Sequence, residues 1–209
     1  MAKNKRPNPR NGRDIRRRSY SREVKQSFLI ICEGVNTEPD YFNAFRLTSA
    51  NVKAVGRGIN TIGLVREAIR LRYEEERKGH KYDQCWVVFD KDDFPDTDFD
   101  GAIRLAESNS FKAAYSNQAF EYWFLLHFHP FEGQMHRSQY SSKLTSLLGI
   151  PYSKQSGSAS LIYGLLAPRQ TQAIANAKNI LDSINHLPPS KRESSTTVHL
   201  LVEELNKFI

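Results

Sequence analysis

Three acidic residues of this chain fall where a parallel sheet would gather them. Glu33 directly follows the apolar run Ser27–Cys32, and Asp90 and Asp92 directly follow Asp83–Phe89. In an open parallel sheet the ligand crevice lies outside the carboxyl ends of the strands. An Asp-x-Asp in extended conformation points both side chains to one side. Brought close to Glu33, these carboxylates repel one another unless a cation is bound between them. Ligands that are all oxygen suit Mg²⁺ or Mn²⁺, which keep part of their water shell and take phosphate oxygens as remaining ligands. The expected chemistry is metal-assisted phosphodiester cleavage, one ion activating water and another stabilising the leaving oxygen. The bland reading stands beside it. Acidic residues after strands are common in loops, and Asp92, Asp93, Asp96, Asp98 and Asp100 also read as a solvated turn. Glu38 reads as a favourable charge in the first turn of a helix.

A fourth acid sits in an unusual place. Glu121 lies inside Ser116–His129, whose segment Gln118–Phe128 reads as a helix apolar almost all round and so central to the fold. A buried carboxylate without a partner is costly, so Glu121 either pairs with a Lys or Arg of the sheet edge or binds metal. Asn117 is placed to cap that helix or to position a ligand. Lys91, Lys154 and Arg57 are candidates for holding phosphate or stabilising a transition state, and each also reads as an ordinary surface cation.

The elements that would position these residues alternate. Apolar runs at Ser27–Cys32, Asn51–Val55, Asp83–Phe89 and Phe111–Tyr115 predict strands. Between them, helices are predicted after Thr37, which can cap with Pro39 in the first turn, over Thr61–Lys78, and over about Thr97–Ser108. This order predicts an α/β fold with a mainly parallel four-stranded sheet flanked by helices. Beyond Phe131 the pattern is helical at about Ser138–Leu148, Ser160–Leu166, Arg169–Ile184 and Thr196–Phe208. The expected organisation is a basic arm over 1–25, an α/β domain over 26–131 and a helical extension over 132–209 packed on it.

The net charge of +7 is unevenly spread. Residues 1–25 hold ten Lys and Arg, among them Arg16, Arg17 and Arg18, against two acids, which leaves the rest of the chain close to neutral. Such an arm is either a solvated disordered tail or an electrostatic tether to phosphate polymers, and the two coexist. Cys32 and Cys85 lie in strand-like runs and read as buried reduced thiols. The His127-x-His129 pair is left structural, since zinc needs more ligands at suitable spacing. No signal peptide is visible at the polar N-terminus, and Phe120–Phe128 is too short to cross a bilayer, so a soluble cytoplasmic protein is expected. No P-loop occurs, so the chain is not itself expected to be a P-loop ATPase.

The motifs Cys32–Phe42 (CEGVNTEPDYF), Val88–Phe94 (VFDKDDF) and Ser116–Phe128 (SNQAFEYWFLLHF), in that order, resemble the RloB family. Tyr152-Ser153-Lys154 and Ser195–Glu203 look like further signatures of it. Gln118-Ala119 departs from the pattern, which leads one to expect Pro-Cys or a similar pair. The family is similar to the second protein of the AbiL abortive-infection system of phage defence. The resemblance implies a Toprim-type domain related to OLD-family nucleases, with Glu33, Asp90 and Asp92 as metal ligands, Glu121 as a candidate ligand for a second ion and more weight for Glu38. It also implies work on DNA or RNA beside a separately encoded RloA-like ATPase of the OLD/ABC type. The rival class is a non-catalytic Toprim module that binds nucleic acid or a partner.

Overall fold

The computed structural model describes residues 26–48, 50–59, 61–131 and 135–209. The basic arm, with Arg16, Arg17 and Arg18, lies outside them. Four strands, β1 (Gln26–Cys32), β2 (Ala50–Gly56), β3 (Gln84–Asp90) and β4 (Lys112–Ser116), pair in the order β2-β1-β3-β4 with every pair parallel. Both faces of the sheet are covered, which is why its central strands read as unbroken apolar runs. Phe28, Ile30, Cys32, Trp86 and Val88 point into one core, while Leu29, Ile31, Val87 and Phe89 point into the other. That is the period-two alternation of a strand.

Helix α1 (Thr37–Asn43) lies on the first face, and α2 (Thr61–Arg77) and α3 (Asp96–Ser108) on the second. The connection through α1 steps from β1 to β2. The next, through α2, returns past β1 to β3 on the other side. The loops leaving β1 and β3 therefore diverge to opposite faces, and a crevice opens between their carboxyl ends. Glu33 and Asp90 stand at that switch point.

The C-terminal helices α5 (Tyr140–Leu148), α6 (Ser158–Leu166), α7 (Gln170–Ser183) and α8 (Val198–Asn206) appear where the apolar spacing places them, and they share the first-face core. The segment expected as a helix over 118–128 is different. Only Glu121–Leu125 is α-helical, as α4, because Gln118 takes φ +96° and breaks the run. Asn117 does not cap it, but donates from Nδ2 to the Pro189 carbonyl at 2.7 Å. Thr37 is likewise inside α1 rather than capping it; Asn36 holds the cap position, without a side-chain bond. The segment is apolar all round because it is buried all round, not because it is long and helical.

An aromatic joint connects α1 to α4. Tyr41 makes ring contacts with Phe42, Phe45, Phe120, Phe124 and Tyr163, and Trp123 Nε1 donates to the Tyr41 hydroxyl at 2.9 Å. This packing sets the separation of Glu38 on α1 from Glu121 on α4. On the far edge, residues 195–197 lie along β4. Thr196 bridges Ser116 in antiparallel sense, and Thr197 N donates to the Tyr115 carbonyl at 2.8 Å. They protect an otherwise open edge. Cys32 and Cys85 are buried and free. Among the described residues no helix is long and apolar enough to cross a membrane.

Candidate functional site

Strand register places the first two acids side by side. Cys32 pairs with Val88, and Glu33 N donates to the Val88 carbonyl at 2.8 Å, so Glu33 stands level with the end of β3. Its Oε2 accepts from Asp90 N at 3.1 Å. Asp90, the last residue of β3, accepts from Phe120 N through Oδ2 at 3.1 Å. Asp92 is not in the extended Asp-x-Asp geometry expected of it. Its φ is +45°, a left-handed turn that aspartate tolerates better than most residues. The turn nevertheless leaves Asp92 in the same crevice.

Two helices bring further acids. Glu38, in the first turn of α1, is only 6% exposed and accepts from Gly34 N through Oε1 at 3.2 Å. Glu121 opens α4 at 3% exposure. Its Oε1 receives the Lys154 ammonium at 2.8 Å and the Tyr152 hydroxyl at 2.6 Å. The cation expected from the sheet edge thus comes from the loop between α5 and α6. All five acids and Lys154 line one cavity of about 290 Å³. A second, of about 400 Å³, shares Asp90, Asp92, Glu121 and Lys154 and extends toward Arg137.

This crowding has an electrostatic signature. Burial pushes the Glu33 carboxyl up to about 7, with the charges of Asp92 and Glu38 adding to it against the Asp90 amide. Asp90 is held well above the usual carboxylate range by burial and then by Glu38, Glu121, Glu33 and Asp92. Glu38 and Asp92 are raised as well, again chiefly by burial. Burial opposes the Lys154 ammonium, but the carboxylates of Glu121, Asp90 and Glu38 together raise its pKa. Among the described residues Glu33, Glu38 and Asp90 form no ion pair, whereas Asp92 meets Arg137 at 2.6 Å.

The site depends on a close backbone approach. A Cβ added at Gly56, the end of β2, would stand 2.2 Å from the Gly34 carbonyl oxygen and 2.4 Å from Val35 Cα. Backbone faces backbone there, so neither side can turn away. Gly56→Ala is expected to displace the Glu33–Val35 loop and to destabilise the protein by about 1–3 kcal/mol, read from urea unfolding. Unchanged stability would show the loop to be free to move.

Other expected residues are placed elsewhere. Lys91 pairs with Asp96 at 3.1 Å, and Arg57 faces Glu67 at 3.6 Å. One residue of the crevice, Arg137, and the residue that supports it, Gln118, had drawn no functional expectation. Arg137 comes from a 3-10 turn, Arg137–Gln139, ahead of α5. Gln118 anchors that turn by accepting from Arg137 N at 3.3 Å, while its own Nε2 donates to Glu193 at 2.6 Å.

As a donor set the first cavity offers carboxylate oxygens and, among its described lining residues, neither thiolate nor imidazole, which fits a hard cation such as Mg²⁺ or Mn²⁺. Among the described residues, however, no group of three or more His, Cys, Asp or Glu side chains is arranged to hold a metal ion. Two of the five acids are engaged by Lys154 and Arg137. The donor chemistry fits; closing the shell requires side-chain movement. The convergence of the acids follows from strand register and helix packing, whereas carboxylate rotamers shift readily.

No match was found among curated proteins or solved structures. A family model described as RloB-like protein matches residues 28–205. The match runs from β1 into α8 and contains all five acids of the crevice together with Lys154 and Arg137, and the chain belongs to the RloB family.

Proposed function

We propose that this chain is a divalent-metal-dependent nuclease of the Toprim type, hydrolysing phosphodiester bonds of DNA or RNA. The observation that carries this is the meeting of five carboxylates at the switch point of a parallel sheet, with Asp90 half-buried at a strand end, flanked by like charges and, among the described residues, outside any ion pair. Such a group is at ease either protonated or beside a cation. A bound Mg²⁺ or Mn²⁺ supplies charge stabilisation at phosphate and a water of lowered pKa. Glu33, Asp90 and Asp92 are the ligands, with Glu121 toward a second ion. The hydrogen bonds that Glu33 accepts from Asp90 N and that Asp90 accepts from Phe120 N orient two of these carboxylates before any ligand arrives. Lys154, whose ammonium already stands against Glu121, is placed to meet charge developing on a phosphate oxygen.

Purified protein incubated with DNA and with RNA, in Mg²⁺, in Mn²⁺ and in EDTA, tests the proposal. Cleavage that needs the divalent ion and is lost in Asp90→Ala supports it. Cleavage that persists in that variant contradicts it.

A second reading has one observation in its favour: no ready ligand set among the described residues, with Lys154 and Arg137 already on two of the acids. On that reading the crevice is a binding module that meets nucleic acid or a partner without cutting. Oligonucleotide binding indifferent to metal, with no cleavage of either polymer, would favour it. A role in phage defence, a cytoplasmic setting and work beside a separate RloA-like ATPase complete the proposal, and these rest on RloB kinship alone.

A further inference from the structure

The second lobe of the crevice has a composition unlike the first. It keeps Asp90, Asp92, Glu121 and Lys154 and adds donors that the first lacks, among them Arg137, Ser138 and Ser141. Arg137 spans two carboxylates instead of gripping one. Nη1 donates to Asp92 Oδ1 at 2.6 Å and Nη2 to Asp93 Oδ2 at 2.6 Å. A guanidinium is built to take two oxygens of a single carboxylate or phosphate, and neither acid here receives both nitrogens. Asp93 is 85% exposed, so its hold on Arg137 competes with water and salt and is weak. Asp92, the firmer partner, lines both lobes.

The backbone beneath Arg137 is held independently of its fork. Gln118, in its left-handed conformation, holds Arg137 N, and Glu193 holds Gln118. A side chain on a fixed base with loosely matched partners is placed for exchange.

We propose that Arg137 is the phosphate receptor for the substrate strand in the second lobe, held in reserve by Asp92 and Asp93 until a cation takes Asp92. This rests on the metal-site reading above. Once Asp92 turns to a metal, the guanidinium loses its firmer partner and presents its fork to a nucleic-acid phosphate. Asp93, too exposed to retain it, acts as a tether that sets how readily it leaves.

The test is equilibrium binding rather than turnover. Fluorescein-labelled single-stranded DNA and its RNA counterpart are titrated into full-length protein across a salt series, in EDTA and in Ca²⁺. In Ca²⁺, Arg137→Gln is expected to weaken binding of both polymers roughly 5–30-fold and to flatten the slope of log K against log salt by about 0.7, the share of one phosphate contact, with a smaller loss in EDTA, where Asp92 still holds the guanidinium. Asp93→Asn, on an exposed side chain, is expected to tighten binding in EDTA by about 2–5-fold, because it loosens the tether. Asp93→Asn in the Arg137→Gln background controls for the lost charge: tightening as large there as in the wild type is plain charge removal and overturns the tether. Wild-type affinity and slope in a folded Arg137→Gln overturn the proposal, as does an Asp93→Asn that binds no tighter. Mn²⁺ titration of the wild type separates the two levels. No Mn²⁺ binding at all rejects the metal site, whereas Mn²⁺ binding with an unaffected Arg137→Gln rejects only the receptor.

Discussion

Asp90→Asn is expected to lower metal-dependent cleavage by about 10²–10³-fold or more while leaving the protein at least as stable as the wild type. The two effects have one cause. Asp90 is half-buried at the end of β3, desolvation and then its neighbours Glu38, Glu121, Glu33 and Asp92 raise its pKa, and among the described residues no cation is paired with it. A neutral amide of the same shape removes a charge the folded state tolerates poorly, and its side-chain oxygen can still accept from Phe120 N. What it cannot do is serve as an anionic metal ligand. Cleavage rates and urea midpoints measured on one preparation check both halves. A variant that cuts normally removes Asp90 from the chemistry. One that loses several kcal/mol of stability shows that the carboxylate is a structural group.

Metal and proton are expected to compete for the crevice, with a large effect on thermal stability. Glu33 has its carboxyl raised by burial to about 7, so the folded state holds a proton that the unfolded chain releases near its ordinary pKa of 4.5. The stability from that raised pKa is fully present below pH 4.5 and is lost as pH rises through about 7. Because Glu33 is only half-buried, the loss is discounted to roughly 1–2 kcal/mol. Asp90 moves in the same direction. His127 runs the other way. Burial pulls its imidazole down to about 4 from 6.5, so stability is lost as pH falls from 6.5 toward 4.

The difference between metal-bound and metal-free protein isolates the crevice, since His127 titrates in both. At pH 8, Mn²⁺ at about 100 times its Kd is expected to add about 2.7 kcal/mol, or roughly 5–10 °C in Tm for a chain of this size. At pH 5 the proton on Glu33 must first be displaced, and the shift should shrink toward zero. A shift of equal size at both pH values would place the ion away from these carboxylates.

How much of this was legible in the amino-acid order differs from residue to residue. Glu33 and Asp90 were legible because each closes an apolar run, and a parallel sheet aligns such ends whatever lies between. The four C-terminal helices were legible from apolar spacing alone. The segment around Glu121 was misread because burial on every side mimics a long apolar helix. Only the backbone shows that Gln118 breaks it at φ +96°. Asp92 was placed correctly for the wrong reason, since it turns left-handed instead of staying extended. Glu38, an unremarkable first-turn charge by position, proves to be buried against the Gly34 amide. Arg137 was invisible. It stands 45 positions from Asp92, in a short 3-10 turn with no periodicity to mark it. Long-range pairing of one cation with one acid leaves no local trace in a single sequence.

The most direct measurement is an anomalous-scattering map from crystals of the full chain grown or soaked with Mn²⁺ at neutral pH. A peak is expected in the crevice at about 2.0–2.3 Å from carboxylate oxygens of Glu33 and Asp90, with Asp92 turned toward it. Manganese found only at the outer surface, with Lys154 and Arg137 still closed on Glu121 and Asp92, would contradict a metal centre at this site.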